Sequence, residues 1–136
     1  MQNNVSFTII LPLPPRVLHP NYVVGSIGGR CAKAAAAKKQ RRLACEAVCA
    51  AMQADKQSAP FVLVSPSFYC KTNRRRDTDG AITSLKSAYD GIVDAGLVQD
   101  DTPEYMKRAE PVFQVDKQYP RLEMRIDLYE SKKQCH

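Results

Sequence analysis

The chain has 136 residues, a net charge of +6 and a sequence pI near 9.2. That length suits one domain with one core over 1–136, and no run of apolar residues is long enough to cross a bilayer as a helix. The excess of cations makes a polyanion a plausible partner, and it is clustered in two blocks, Lys38, Lys39, Arg41 and Arg42, and Arg74 to Arg76.

The first residues, Met1 to Val5, lack the basic segment and long apolar stretch of a signal peptide, so a cytoplasmic protein is expected. Val5 to Leu11 is β-branched and apolar and reads as a first strand, stopped by Pro12, Pro14 and Pro15. His19 to Arg30, with Pro20, Gly25, Gly28 and Gly29, reads as an irregular loop. Cys31 to Ala54 is rich in alanine and predicts a helix, with Ala36, Leu43, Ala47, Ala50 and Ala54 on its apolar face. The basic residues Lys38, Lys39, Arg41 and Arg42 lie mostly on the rest, either as a solvated face or as contacts to phosphate.

Phe61 to Tyr69 predicts a second strand, and Pro66 within it implies an edge position or a bulge. From Ile82 to Ala95 the pattern is helical, with Ile82, Leu85, Tyr89 and Ile92 as one stripe and Gly96 as the terminating glycine. Val112 to Val115 is a short apolar stretch. Leu122, Met124, Ile126 and Leu128 alternate with Arg121, Glu123, Arg125 and Asp127, the pattern of a half-buried strand. The tail from Ser131 is polar, with 130–136 expected to fray. The order strand, helix, strand, helix, strand, strand predicts an α+β or mixed α/β fold: a small mixed sheet with two main helices on one face.

The five cysteines, at 31, 45, 49, 70 and 135, are odd in number and contain no C-x-x-C pair. Cys45 and Cys49 can share a helix face, but two ligands do not make a structural zinc site. Reduced, mostly buried thiols are expected.

The segment that carries chemistry is Arg74-Arg75-Arg76-Asp77-Thr78-Asp79, followed by Lys86 and by Asp100-Asp101. If Asp77 and Asp79 stand at the end of a strand, they project to one side and offer oxygen ligands suited to Mg²⁺ or Mn²⁺. Either aspartate can instead cap the coming helix. Asp100 and Asp101 join them only if the loop after Gly96 folds back. Lys86 has a local partner in Asp90 at i+4, and Arg74, Arg75 and Arg76 are either solvated or face DNA.

These residues together resemble the RusA family of Holliday-junction resolvases. The similarity lies in Arg74 to Asp79, then Lys86-Ser87-Ala88-Tyr89-Asp90-Gly91-Ile92, then Asp94-Ala95-Gly96-Leu97 and Asp100-Asp101, and the early Leu11-Pro12-Leu13-Pro14-Pro15 is similar to the family's exit from its first strand. The resemblance implies a RusA-like fold and a homodimeric, Mg²⁺-dependent endonuclease that cuts four-way DNA junctions in recombination and repair. By motif position Asp77, Asp79 and Asp101 carry metal and catalysis, Lys86 is the catalytic lysine, and Asp100 fills the neighbouring acidic position. Lys38, Lys39, Arg41, Arg42 and Arg74 to Arg76 then dock DNA.

Two departures stand out. Gly80 replaces the family's asparagine, and Thr83 occupies the usual lysine spacing, so Lys86 comes three residues late. An insertion of that size adds roughly 4.5 Å if it is helical, moving the lysine along the axis while keeping its face. The rival readings are a junction-binding protein that does not cut and a basic protein-interaction domain. The scattered aromatics do not suggest a stacking platform for single strands.

Overall fold

The computed structural model describes residues 5–20, 25–52, 58–73 and 77–134. It has a mixed α+β architecture: strands β1 (Ser6–Leu11), β2 (Phe61–Cys70), β3 (Met106–Arg108), β4 (Val112–Val115) and β5 (Arg121–Tyr129), with helices α1 (Ile27–Met52), α2 (Thr78–Ser84) and α3 (Lys86–Asp94). The sheet runs β1-β5-β2-β3, with β4 also on β2. β5 is antiparallel to both neighbours, pairing Ile9 with Met124 on one side and Val64 with Ile126 on the other. β3 and β4 are parallel to β2, because the chain returns to the sheet through the helices.

Alternation decides which sheet face is covered. Ile9 and Leu11, Val62, Val64 and Phe68, and Leu122, Met124 and Ile126 are buried and share one core with Ala44 and Val48 of α1 and Leu85, Ala88, Tyr89 and Ile92 of the α3 region. The opposite face carries exposed Thr8, Ile10 and Arg125. The helices therefore pack on one side of the sheet, as the pattern predicts.

Several local expectations are corrected. The segment read as a loop to Arg30 is already helical from Ile27, because Ser26 Oγ accepts from the Gly29 N–H at 3.0 Å and starts the helix early. The buried stripe of α1 is Gln40, Ala44 and Val48, rotated from the predicted alanine face: Ala50 is exposed, and Ala54 lies outside the described residues. The predicted helix over 82–95 starts at Thr78 and breaks at Leu85 into two, and the short strand β3 was not foreseen. The polar tail forms a 3-10 turn at Lys132–Gln134. Of the described cysteines only Cys70 is buried, while Cys31 and Cys49 are exposed and Cys45 is intermediate, all as free thiols. Among the described residues no helix is long and apolar enough to cross a membrane.

Pro66 lies in an interior strand rather than at an edge, and the bulge is in its neighbour. Val64 pairs with Arg108 and Ser67 with Val112, so the β3–β4 side has one more residue than β2 across this gap. The Val62 N–H and Val64 C=O bond to that side, so by alternation the donor that Pro66 lacks would face the interruption between β3 and β4.

Candidate active site

α2 begins at Asp77. Its backbone is extended (φ −88°, ψ 115°), and its Oδ1 accepts from the Asp79 N–H at 3.2 Å, one of the donors a helix start leaves without a partner. β2 ends at Cys70, so Asp77 and Asp79 do not stand at the end of a strand as expected: Asp77 caps a helix and Asp79 lies in its first turn. Both are exposed. A carboxylate in the first turn also suits the positive end of the helix.

The break at Leu85 is held by Gln40 of α1. Its buried amide donates to the Ser84 C=O at 3.0 Å and accepts from the Ala88 N–H at 2.9 Å. One side chain thus satisfies an acceptor at the end of α2 and a donor at the start of α3. Leu85 and Ile92 are fully buried, each worth about 1.5–3 kcal/mol of transfer free energy, and the Tyr89 ring is buried with them. α3 also packs against α1 where Gly91 meets the backbone of Arg41, and Arg41 grips Asp94 through two bonds of 2.5 and 2.8 Å.

Lys86 is the first residue of α3, a position where a cation opposes the helix dipole. Two carboxylates offset this: Nζ donates to Asp90 at 3.1 Å and to Asp101 at 2.7 Å. Asp101 reaches it because the loop after α3 does fold back. Gly96 turns the chain with φ 84°, then Leu97 and Val98 plug into the core, and the Ala59 N–H fixes the Leu97 C=O at 2.6 Å. Arg108 of β3 gives Asp101 a second cation at 2.8 Å and lies 4.4 Å from the centre of the Tyr89 ring. Asp100 Oδ1 accepts from the Asp101 N–H at 2.7 Å. The Lys86 hydrogen bond, then its charge and that of Arg108, hold the Asp101 carboxyl below its usual range, and the same bond raises the Lys86 ammonium. Burial pushes the Tyr89 phenol up to about 12.

The predicted residues thus fall into two groups. Asp77 and Asp79 stand at the head of α2, and Lys86, Asp90, Asp100 and Asp101 gather at the head of α3. Carboxylate oxygens are suitable donors for a hard divalent cation, yet among the described residues no group of three or more His, Cys, Asp or Glu is placed to hold a metal ion. Arg74, Arg75 and Arg76 lie outside the described residues. Of the α1 cations, Arg41 is engaged with Asp94 and Arg42 faces Glu46 at 3.8 Å, while Lys38 and Lys39 are exposed. Sequence reasoning missed Gln40, Arg108 and His19, whose imidazole packs on Gly80. A polar residue in the middle of an alanine-rich helix was the available signal for Gln40, His19 opens the long segment read as an irregular loop, and nothing local marked Arg108.

No protein-family model matches this chain, and no curated protein matches it.

Proposed function

We propose that this chain is a divalent-metal-dependent endodeoxyribonuclease of the cytoplasm that acts, as a homodimer, on branched DNA and on four-way junctions in particular. One observation supports the reading most. Asp101 returns across 15 positions to bond Lys86, which makes neighbours of an acidic residue and a lysine that the motif alone could only suggest were related.

Asp77 and Asp79 at the head of α2 and Asp101 beside the head of α3, which stand as two separate groups, would be the oxygen donors for Mg²⁺ or Mn²⁺, with Asp100 steadying Asp101 through the backbone. Such an ion, when bound, activates water and offsets charge on the phosphoryl oxygens. Lys86 supplies positive charge to the scissile phosphate. Its side chain is 59% exposed, so it can leave Asp101 for a phosphate oxygen while Arg108 stays paired with the carboxylate. Lys38 and Lys39, with Arg74 to Arg76, dock flanking phosphates, contacts that position DNA without reading its sequence. A two-fold dimer offers paired sites to a two-fold junction.

The test is cleavage of a labelled four-way junction and of linear duplex with the same arms, in Mg²⁺, Mn²⁺ and EDTA. Symmetric, metal-dependent nicks in the junction alone are expected. A second reading, a junction-binding protein that does not cut, is favoured by the bonding of Lys86 and Arg108 to Asp101. Junction binding in EDTA with no nick in either metal would select it.

A further inference from the structure

Two cations reach one oxygen beside the head of α3. Lys86 Nζ and Arg108 Nη2 both donate to Asp101 Oδ2, at 2.7 and 2.8 Å. They come from different elements, Lys86 from the first turn of α3 and Arg108 from the end of β3. Arg108 is the more firmly seated. It pairs with Val64 of β2, and its guanidinium carbon lies 4.4 Å from the centre of the fully buried Tyr89 ring. Its side chain is nevertheless 30% exposed, so a group anchored on the core still faces solvent. A phosphate oxygen accepts charge-assisted bonds from lysine and arginine at the same short distances as a carboxylate oxygen does. A guanidinium also carries several N–H donors in one plane, so the bond from Nη2 to Asp101 does not stop the same group from holding a second anion.

The surrounding charge decides when that can happen. Lys86 and Arg108 stand among the carboxylates of Asp90, Asp100 and Asp101, so without a ligand the group carries more negative than positive charge. Of these carboxylates Asp101 is the one that bonds both cations. We infer that Lys86 and Arg108 form a binding pair for one phosphate of the DNA backbone, and that Asp101 holds both cations in the chain without DNA. Arg108, which lies outside the motif, is thus the second phosphate-binding residue of the site. Lys86 exchanges the carboxylate for a phosphate oxygen, while Arg108 keeps its bond to Asp101 and offers its other donors to the phosphate. The inference rests on the reading of this chain as a DNA-binding enzyme but on no metal ion, because removing the charge of Asp101 is enough to free the pair.

The experiment is the affinity of the full-length chain for a labelled four-way junction in EDTA, measured by fluorescence anisotropy across a range of salt. Each phosphate contact contributes about 0.9 to the slope of log affinity against log salt, and a side chain that only supports the fold contributes nothing to it. Asp101→Asn keeps the shape of the side chain and removes its charge. It is expected to bind more tightly than wild type, with a slope steeper by about one to two units. Adding Arg108→Gln to Asp101→Asn takes back about one unit, and adding Lys86→Gln does the same. Asp116→Asn is the control: it removes the same charge from beside another arginine, Arg121, at the far end of β2, and leaves the slope unchanged. Every variant is checked for cooperative unfolding, and Asp101→Ala removes the charge a second way, so the result does not hang on one variant folding. A wild-type slope in both Asp101 variants would overturn the inference, as would a steeper slope that survives Arg108→Gln. An equal gain in Asp116→Asn would also overturn it, by reducing the effect to net charge. All three outcomes leave junction binding itself intact. If neither wild type nor any variant binds the junction, the DNA reading fails first and this inference falls with it.

Discussion

Asp77 at the head of α2 and Asp101 beside the head of α3 are held by different means. Asp77 is exposed, and its Oδ1 accepts from a backbone N–H two residues away. Asp101, whose side chain is only 16% exposed, is gripped by two cations that reach it from 15 and 7 positions away. The first arrangement needs little more than a helix start. The second needs α3 seated on α1, the turn at Gly96, the buried Leu97 and Val98, and β3 in register. Damage to the fold should therefore dissolve the Asp101 group well before the Asp77 cap.

The largest effect is expected from Gly91→Ala. The added carbon would run into the backbone carbonyl of Arg41 and lie 2.8 Å from Ala44 Cβ, and a helix backbone cannot yield as a side chain can. A loss of about 3 kcal/mol is expected from the urea midpoint. A midpoint near wild type would break the comparison at its base, since α3 would not need this seat. Gln40→Leu comes next. It leaves the Ser84 C=O and the Ala88 N–H unpaired at the break before Lys86, at about 1–3 kcal/mol for a group so orphaned. Faster hydrogen exchange at Ala88 should accompany it, and unchanged exchange would argue against the bridge.

Asp101→Asn sharpens the contrast through pH. The folded-state pKa of Asp101 lies below its ordinary 3.8, so its contribution is present above that value and lost as pH falls through the lower folded value. Lys86 is raised above 10.5, so its contribution is full below that pH and lost as pH rises past the folded value. In EDTA, the variant should therefore lose less stability than wild type as pH falls below the ordinary carboxylate value of 3.8. Parallel curves for the two proteins would remove the ion pairs from the account. The smallest effect belongs to the cap: Asp77→Ala should cost about 1 kcal/mol, and Asp77→Asn close to nothing, because asparagine caps as well as aspartate. Equal losses in thermal unfolding would mean that the carboxylate is held by something other than the cap.

How far each group was legible in the sequence follows from the same difference. The strands β1, β2 and β5 were readable because their period is local, and of the predicted stripe Ile82, Leu85, Tyr89 and Ile92 the last three are buried, while Ile82 lies half-buried on α2 before the break. Capping by an aspartate was readable as one alternative at Asp77, since it involves neighbours in the chain. Pro66 was read correctly as demanding a break in pairing, but sequence could not say that the break lay in the adjoining strand. Gly96 signalled the end of α3, while the return of Asp101 depended on Leu97 and Val98 finding the core. The pairing of Arg108 with Asp101, the bridge from Gln40 and the seat of His19 on Gly80 join distant segments, and no periodicity encodes them.

The most direct test of the central claim uses Asp77→Asn, the variant that keeps the cap and changes the chemistry. Single-turnover cleavage of a four-way junction in Mn²⁺ should fall by about a hundredfold or more, with junction affinity in EDTA unchanged. Cutting at the wild-type rate with the same products would contradict the account.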